Sequence, residues 1–430
     1  MNSNRSSHWR NLSVKTELIE RIARREGTSP ARLRQAVKEG RVVLVRSRRR
    51  RKIEPLAVGE GTRVKVNANI GTSPDCSDVE QELAKLQAAV KAGADTVMDL
   101  SIGGEVDEIR RAIISESPVP VGTVPVYQVA LDARGRRRSW LHAKPREVLA
   151  GVEKHLADGV DFVTVHCGVT RANVQTLREC GRVCGIVSRG GAMMAEWMRF
   201  NRRENPLYEF YDELLAMAKH YGAVLSIGDG LRPGALADAT DEPQVAELLT
   251  IGELVERARA AGVQTMVEGP GHVPLSGVEA NVRLEKEICA GAPFYLLGPL
   301  VTDVAAGYDH IAGAIGGALA AWFGADFLCY VTPSEHLGLP GIEDVHQGVI
   351  ASRIAGHAAD IARGNAAAVR RDLRMSQARA ALDWPKMWKQ AIDPDRARAV
   401  FEANRSRTDG VCTMCGEFCA IKKTKETFDE

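Results

Sequence analysis

The chain has 430 residues, of which 45% are hydrophobic and 26% charged, and its formal net charge is +2. This composition is ordinary for a globular protein, and the length suits one large α/β domain of about 250 residues with smaller flanking pieces. The near balance of charge excludes a polyanion partner for the whole chain, and nine scattered cysteines argue against a secreted disulfide framework. With a polar N-terminus that lacks the apolar core of a signal peptide, we expect a cytoplasmic protein.

Residues 1–62 predict a small helical region followed by a basic arm. Apolar residues recur at helical spacing between residues 13 and 40, and Thr28-Ser29-Pro30 is typical of a helix start. The basic run Arg46 to Lys52 has no interleaved aromatic residues. This favours a solvated linker or a phosphate-facing arm over a nucleic-acid site.

Residues 63–340 predict a (β/α)8 catalytic barrel. Short β-branched runs alternate with amphipathic segments of helical length, which indicates a parallel sheet, and about eight such units favour a barrel over an open sheet. One candidate strand is surplus to a barrel of eight. The candidates are Val64–Ile70, Thr96–Leu100, Val119–Val126, Phe162–Val165, Gly185–Val187, Ala223–Ile227, Gln264–Val267, Tyr295–Leu297 and Phe327–Val331.

One apolar stretch, Ile311 to Val331, is long enough to span a bilayer. It is rich in Gly and Ala and contains Asp326. We expect a buried helix from Ile311 to Phe323 and then a buried strand, as in other parallel α/β interiors, and no membrane partner.

Residues 341–405 predict a helical bundle, and residues 406–430 a polar linker with a cysteine loop. Cys412, Cys415 and Cys419 form a C-x2-C-x3-C motif. Thiolates are soft ligands, and three of them on one tight turn suit a zinc ion or an iron–sulfur cluster equally well. With the basic run, the zinc alternative suggests a nucleic-acid-associated module whose binding would weaken with salt.

Polar, Gly-rich sequence follows nearly every predicted strand. In a barrel these strand ends share one mouth, where barrel enzymes hold their active sites. His272 and His336 each follow a strand and have Glu268 and Glu335 nearby, so they are candidate ligands for zinc or iron. Either residue alone is also compatible with a hydrogen-bonded loop histidine.

Several other strand ends carry candidate chemistry. Ser188 to Gly191 can form an anion cradle if a helix starts there. Asp229 and Arg232 suit a ribose hydroxyl and a phosphate, or else a salt bridge within the loop. Glu268 and Tyr127 are candidate proton-transfer groups. Five further cysteines lie in or beside apolar runs and are expected in the core: Cys167, Cys180, Cys184, Cys289 and Cys329.

Together these motifs resemble those of the phosphomethylpyrimidine synthase family, over residues 13–421. The matching blocks are Lys65–Gly71, Ser117–Gln128, His166–Thr170, Ser188–Gly190, Gly228–Gly234, Glu268–His272 and the cysteine motif. Ile102 is a departure, because the family is expected to have Thr there. That difference puts one hydroxyl contact in doubt and leaves the reaction unaffected.

The resemblance implies a dimeric radical S-adenosylmethionine lyase of thiamine biosynthesis. It would convert 5-amino-1-(5-phospho-D-ribosyl)imidazole, or aminoimidazole ribotide, to 4-amino-5-hydroxymethyl-2-methylpyrimidine phosphate. Formate, carbon monoxide, methionine and 5′-deoxyadenosine would be released, and a low-potential donor such as flavodoxin or ferredoxin would supply the electron. The alternative is a 5-hydroxybenzimidazole synthase, which uses the same ribotide in anaerobic cobalamin biosynthesis.

The same resemblance implies roles for individual residues. Cys412, Cys415 and Cys419 would hold a [4Fe-4S] cluster that binds S-adenosylmethionine, and His272 and His336 would bind zinc or iron. It leaves open whether the cysteine loop serves its own barrel or that of the partner subunit. The implied substrate contacts are Asn69, Met98, Tyr127, His166, Ser188, Arg189, Gly190, Asp229, Gly230, Leu231, Arg232, Glu268 and Tyr295.

Overall fold

The computed structural model describes residues 16–408 and 410–428. The chain forms two compact units, of which the first ends at Ala359 and the second begins at Asp360. We expected the barrel unit to end at residue 340. The first unit extends further because Val345 and Val349 of the next helix share a buried cluster with barrel-strand residues such as Val66.

The N-terminal segment is a packed subdomain that lies against the amino ends of the barrel strands. It consists of α1 (Thr16–Glu26), α2 (Pro30–Lys38), β1 (Val42–Val45) and β2 (Leu56–Gly59), with the two strands paired antiparallel. Val43 and Val58 belong to the same buried cluster as the barrel interior. The side chain of Gln264, just before a barrel strand, accepts a hydrogen bond from the Leu44 main chain at 2.7 Å.

The predicted solvated basic arm is wrong in part, because the run from Arg46 to Lys52 connects β1 to β2 and is anchored to the barrel. Arg50 is buried and its guanidinium pairs with Asp161 at 2.8 Å. Asp161 also accepts a hydrogen bond from the Ser47 main chain at 2.8 Å. The spacing of buried and exposed positions in the run reflects this anchoring, and Arg51 and Lys52 remain exposed.

A buried ion pair joins the N-terminal subdomain to the first barrel strand. Lys65 Nζ lies 2.8 Å from a carboxylate oxygen of Glu26, and neither side chain has any exposed surface. Burial lowers the pKa of Lys65, and Glu26 opposes that effect. Removing one member of such a pair leaves an uncompensated buried charge, which costs about 3–5 kcal/mol.

Eight parallel strands of the first unit close into a barrel, which confirms the predicted (β/α)8 fold class. Each strand pairs with the next along the chain, and the circle closes where Phe327 lies opposite Lys65. The strands are β3 (Lys65–Ile70), β4 (Thr96–Asp99), β5 (Val121–Thr123), β6 (Phe162–Val165), β7 (Val224–Ile227), β8 (Thr265–Gly269), β9 (Phe294–Leu297) and β10 (Phe327–Cys329).

Helices follow the barrel strands, and their ends show the expected capping residues. For α3, the Asp78 side chain accepts from the main-chain N–H of Glu80, and Gly93 ends the helix in the left-handed region. The helices are α3 (Val79–Ala92), α4 (Val106–Glu116), α5 (Pro125–Gly135), α6 (Pro145–Asp158), α7 (Arg171–Cys180), α8 (Arg189–Asn201), α9 (Pro206–Glu209), α10 (Tyr211–Tyr221), α11 (Glu242–Ala261), α12 (Val278–Ile288) and α13 (Asp309–Phe323).

The barrel interior is filled by aromatic side chains that lie next to glycines. Phe162 and Phe294 are buried, and a Cβ added at Gly122 or Gly269 would collide with one ring or the other. Tyr295 and Phe327 stack with ring centres 4.3 Å apart. The floor of the barrel is therefore closed, and free volume is left only towards the carboxyl ends of the strands.

The surplus candidate strand, Gly185–Val187, is a loop. The main-chain N–H groups of Val183 and Cys184 donate to the Asp238 carboxylate at 2.8 and 2.9 Å, so side-chain acceptors replace a strand partner. The long apolar stretch forms α13 and β10 as predicted. None of the helices in the described part of the chain is long and apolar enough to cross a membrane.

The C-terminal residues are helical and carry the cysteine loop. Asp383 caps a helix that the sequence did not predict, by accepting from the Lys386 N–H at 3.1 Å. Stacked Trp384 and Phe401, with ring centres 4.1 Å apart, join two helices of the second unit. The helices are α14 (Ile342–Ala362), α15 (Ala366–Ala380), α16 (Trp384–Gln390), α17 (Pro394–Ala403) and α18 (Ala420–Phe428).

Candidate functional site

A cavity at the barrel mouth brings together nine of the thirteen expected substrate contacts. It provides about 100 Å³ for the centres of water molecules and lies at the carboxyl ends of the strands. Its polar and apolar lining comes from every quarter of the barrel, as the mouth geometry predicts. The nine are Asn69, Met98, Tyr127, His166, Ser188, Asp229, Arg232, Glu268 and Tyr295.

The other four expected contacts lie beside this cavity. Arg189 lines a neighbouring cavity, and its guanidinium sits 5.0 Å from the centre of the Tyr127 ring. Gly190 is packed so closely on the His166 ring that a Cβ would collide with it. The main chain of Gly230 and Leu231 is held from behind by a helix, as described below.

His166 and Ser188 form the part of the wall next to the start of α8. Ser188 caps α8 by accepting from Gly191 N–H at 3.2 Å, and its hydroxyl lies 3.1 Å from His166 Nε2. Burial and the nearby charge of Arg232 lower the pKa of His166 to about 3, so the ring is neutral at physiological pH. Its Nδ1 is buried without a hydrogen-bond partner.

Asp229 and Arg232 lie on the turn after β7. Arg232 Nη1 donates to Asp229 Oδ1 at 3.3 Å, which satisfies only one of the two carboxylate oxygens. Burial raises the pKa of Asp229 to about 8, although Arg232 opposes the shift. An unpaired buried polar atom costs about 1–3 kcal/mol, so Asp229 Oδ2 and His166 Nδ1 both favour a ligand that supplies the missing bonds.

A carboxylate of α11 fixes the main chain of this turn. Glu247 is 2% exposed, and its two oxygens accept from Gly230 N–H at 2.9 Å and Leu231 N–H at 2.6 Å. Burial and Asp229 raise the pKa of Glu247 to about 8. The sequence did not reveal this residue, because a Glu within a long amphipathic helix is typical of a solvated side chain.

Glu268 lies in β8 and points its carboxylate across two neighbouring strands. Oε1 accepts from Thr164 Oγ1 at 2.7 Å and from Ser226 Oγ at 2.6 Å. Burial raises the pKa of Glu268, while the two hydroxyl donors and Arg232 oppose the rise. Burial also raises the pKa of Tyr127. A fixed carboxyl with a raised pKa is suited to proton transfer near neutral pH.

Cys329 is a cavity residue that the sequence interpretation placed in the core. It is the last residue of β10 and is buried, and Asn69 Nδ2 lies 3.1 Å from its Sγ. Burial raises the pKa of this thiol to about 12, so it is protonated. Asn67 completes the group by donating to Tyr295 Oη at 2.8 Å. The inward-facing register of the last strand residue is the signal that would have identified Cys329.

A second cavity adjoins the first and is larger, at about 230 Å³ by the same measure. The two share Asn69 and Leu100 in their walls. Ile102, the departure from the family pattern, also lines the second cavity, together with Arg189 and His336. Two adjoining spaces at one mouth can hold two reactants in contact.

His272 and His336 face each other at the rim, with ring centres 5.3 Å apart. His336 has a φ of +62°, a left-handed conformation that non-glycine residues adopt mainly where the surroundings enforce it. Glu268 and Glu335, their sequence neighbours, line the first and second cavities respectively. Within residues 16–408 and 410–428, no three His, Cys, Asp or Glu side chains are grouped to hold a metal ion.

The three motif cysteines lie on one tight turn of the second unit. Main-chain bonds wrap the turn, including Gly416 N–H to Cys412 O at 3.1 Å, and Gly416 is left-handed. All three thiols are free and at least partly accessible. They are not gathered around one point, but as accessible soft donors on a short loop they suit an iron–sulfur cluster.

A comparison with protein families decides the interpretation of these features. The model of the radical SAM ThiC family matches residues 8–426, which is nearly the whole chain. The chain belongs to this family. Radical SAM enzymes combine an iron–sulfur cluster with S-adenosylmethionine, so the family match favours iron–sulfur over zinc at the cysteine motif.

Relatives of the radical SAM ThiC family match the chain over almost its full length. Phosphomethylpyrimidine synthase of Desulfitobacterium hafniense is 57% identical, over 95% of this chain and 94% of its own. The enzyme of the same name from Geobacter metallireducens is 53% identical, over 96% and 95%. These matches confirm the family that the sequence motifs identified.

Among solved structures, dihydropteroate synthase from Thermus thermophilus is similar in overall shape. The TM-score is 0.43 at 18% identity, covering 74% of this chain and 97% of that one. A similarity at this level says nothing about the reaction of a radical SAM ThiC protein.

Proposed function

We propose that the chain is a phosphomethylpyrimidine synthase that converts aminoimidazole ribotide to 4-amino-5-hydroxymethyl-2-methylpyrimidine phosphate. The observation that carries this proposal is the cavity at the barrel mouth, which gathers nine of the motif residues in one place. The names of relatives more than 50% identical over the whole chain support the same reaction. Formate, carbon monoxide, methionine and 5′-deoxyadenosine are the expected by-products.

The phosphate of the ribotide binds at the start of α8. Ser188 caps this helix, and the main chain at Arg189 and Gly190 has no side-chain bulk on the His166 side. Helix N-termini bind phosphate through free N–H groups and the helix dipole, and the Arg189 guanidinium adds a charge-assisted contact. Arg232 supplies a second positive charge in the same cavity.

The sugar and the imidazole lie deeper, against the polar atoms that lack partners. At neutral pH Asp229 keeps a proton, because its pKa is about 8, and can donate it to a ligand oxygen. Neutral His166 offers Nδ1. Asn69, Met98 and Tyr295 complete the wall and exclude water, which protects a carbon radical from side reactions.

Glu268 is the proposed proton-transfer residue. Thr164 and Ser226 hold one of its carboxylate oxygens, which leaves the other to meet the substrate. Its raised pKa lets it accept or release a proton near neutral pH. Tyr127 is a neutral partner, since its pKa is raised above its ordinary value and Arg189 covers its ring.

Cys412, Cys415 and Cys419 are the residues proposed to hold the [4Fe-4S] cluster. When bound by three thiolates, such a cluster leaves one iron for S-adenosylmethionine and supplies the electron that cleaves it. The adjoining cavity beside the ribotide site gives room for this second reactant. A low-potential protein such as flavodoxin or ferredoxin is the proposed electron donor, and the enzyme is proposed to be a cytoplasmic homodimer.

His272 and His336 are proposed to bind zinc or iron. Two imidazoles that share a tetrahedral ion through bonds of about 2.0–2.1 Å have their ring centres about 5 Å apart. The observed separation is 5.3 Å, so the pair fits such an ion. Two protein ligands leave further coordination positions for reactants, as in catalytic rather than structural sites.

Anaerobic product analysis tests the proposed reaction. Protein with a reconstituted cluster is incubated with the ribotide, S-adenosylmethionine and dithionite, and we expect hydroxymethylpyrimidine phosphate together with 5′-deoxyadenosine. Formation of 5-hydroxybenzimidazole in its place would overturn the proposal.

The matched variant Cys415→Ala tests the cluster assignment. We expect it to lose the brown colour and all turnover, because two thiolates do not hold a four-iron cluster. Its far-ultraviolet circular dichroism should match that of the wild type. A variant that retains turnover would show that the cluster is bound elsewhere.

A further inference from the structure

Both rim histidines have a carboxylate next to the same ring nitrogen. His272 Nδ1 lies 2.9 Å from Asp303 Oδ1, within hydrogen-bond distance. His336 Nδ1 lies 3.5 Å from Asp309 Oδ2, as an ion-pair contact. In each ring, the nitrogen that remains for another ligand is Nε2.

The two carboxylates come from one segment, the connection between β9 and α13. Asp303 lies within this connection and Asp309 is the first residue of α13. The Asp309 residue is 3% exposed, and its Oδ2 makes no hydrogen bond with the protein. A buried carboxylate oxygen that faces only an imidazole is costly unless the imidazole N–H, or a cation beyond it, compensates the charge.

Asp303 also ties the metal site to the substrate cavity. Its second oxygen accepts from the Leu236 main-chain N–H at 2.9 Å. Leu236 follows closely on the turn that carries Asp229 and Arg232. One carboxylate therefore fixes a ring of the metal site and the end of the substrate loop together.

Resting on the proposed metal site, we propose that Asp303 and Asp309 are positioning residues that set which nitrogen each histidine presents. Each carboxylate keeps a proton on Nδ1, fixes the ring plane and makes Nε2 the more basic donor for a divalent ion. Outer partners of this kind contribute about 10–100-fold to metal affinity. The connection between β9 and α13 is thus part of the metal site, although it supplies no ligand.

Zinc titration of the full-length protein with its cluster reconstituted tests this proposal, because the occupied cysteines no longer compete for zinc. A chromophoric chelator reports the affinity. We expect Asp303→Asn and Asp309→Asn each to weaken zinc binding about 10–100-fold, since an amide lacks the charge that orients and polarises the ring. Asp212→Asn, an exposed aspartate that pairs with Arg257, is the matched control and should bind zinc as the wild type does.

Leu236→Pro separates the two bonds of Asp303. It removes the N–H donor of the substrate loop and leaves the His272 contact in place. We expect wild-type zinc affinity in this variant. An affinity as low as that of Asp303→Asn would mean that Asp303 acts through the loop, and the proposal would be wrong for this residue.

The ring tautomers give a readout that a purely structural role would not change. In protein labelled with ¹⁵N-histidine and stripped of zinc, we expect the Nδ1–H tautomer at His272 and His336, and its loss in the Asn variants. If Asp303→Asn fails to fold, Asp309→Asn carries the test, because Asp309 Oδ2 accepts no hydrogen bond that the fold needs.

The outcomes distinguish this inference from the function on which it rests. If His272→Ala and His336→Ala leave zinc binding unchanged, the metal site itself is wrong. If those variants lose the zinc but the two Asn variants bind it as tightly as the wild type, the metal site stands and the positioning role is refuted.

Discussion

At the residue scale, burial sets the protonation states in the barrel cavity. His166 is neutral because its pKa falls to about 3, and Asp229 is protonated at pH 7 because its pKa rises to about 8. A neutral wall with unpaired polar atoms binds a phosphorylated ligand better than a wall with an extra negative charge. Arg232 is then free to compensate the ligand's charge rather than that of its neighbour.

The pH dependence of ribotide binding should therefore report on Asp229. As pH rises through about 8, the carboxyl loses its proton, and the new negative charge weakens binding of an anionic ligand. We expect Asp229→Asn to remove this decline, since the amide stays neutral. Calorimetric titration of the ribotide without S-adenosylmethionine, between pH 7.5 and 9.5 as a range of about two units around that pKa, is the measurement. Parallel profiles for the two proteins would contradict this assignment.

Glu247 should affect binding although it does not line the ribotide cavity. Glu247→Gln keeps the shape but offers one acceptor to two N–H donors, so one of Gly230 and Leu231 loses its partner. A lost buried bond costs about 1–3 kcal/mol, and we expect a rise in ribotide Kd of about 5–100-fold.

Glu253→Gln is the control for this substitution, because Glu253 is an exposed residue of the same helix. It should leave the ribotide Kd unchanged. Equal effects of the two variants would show that α11 responds to loss of any carboxylate, and the specific role of Glu247 would be lost.

The residues found by sequence and those missed differ in a physical way. Asp229, Glu268 and His166 follow strands, and in a barrel the end of a strand fixes the place of a side chain at the mouth. Glu247 and Asp303 act from a helix and a long connection, where sequence spacing does not determine what a side chain contacts. Cys329 was missed for another reason, since a cysteine in an apolar strand has the same pattern whether it faces the core or the cavity.

At the element scale, the start of α8 and the turn after β7 are in main-chain contact. A Cβ at Gly191 would collide with the carbonyl oxygen of Gly230. The contact brings a helix N-terminus next to the turn that bears Arg232, and only glycine at this position allows it. The phosphate site and the rest of the cavity therefore depend on one absent side chain.

Gly191→Ala should push these two elements apart. We expect a loss of ribotide affinity of at least about tenfold and a lower Tm, even though Ala is normally favoured over Gly within a helix by about 1 kcal/mol. Gly135→Ala is the matched control, because a Cβ at the end of α5 meets nothing within 4 Å. Thermal melts and ribotide titrations of both variants check this, and unchanged binding in Gly191→Ala would rule out the close approach.

Elements were predictable where a repeated period specified them and unpredictable where single side chains did. The eight barrel strands were all found, because buried parallel strands are apolar runs. Gly185–Val187 has the same composition, yet Asp238 holds the main chain just before it in a loop. Helix α16 was missed because its start depends on the cap formed by Asp383.

At the scale of the whole molecule, one buried carboxyl should shape the pH dependence of stability. Glu285 is fully buried, neither of its oxygens has a hydrogen-bond partner, and burial raises its pKa from 4.5 to about 8. The folded state therefore keeps a proton that the unfolded state loses, and stability falls as pH rises from about 4.5 through about 8. Below pH 4.5 both states hold the proton, and the effect vanishes.

Glu285→Gln should remove this loss. We expect its Tm to exceed that of the wild type by roughly 2 °C or more at pH 9, with a difference that shrinks as pH is lowered towards 5. Differential scanning calorimetry across this range is the measurement. A difference that stays constant with pH would mean that Glu285 is already ionised in the folded protein.

The buried pair of Lys65 and Glu26 has a consequence for anyone who wishes to transplant or permute this barrel. A fragment cut immediately before β3 would retain the ammonium group sealed in the floor and discard its counter-charge. The smallest portable unit therefore starts at α1, and a graft, fusion or circular permutant has to keep that helix within reach of the first strand.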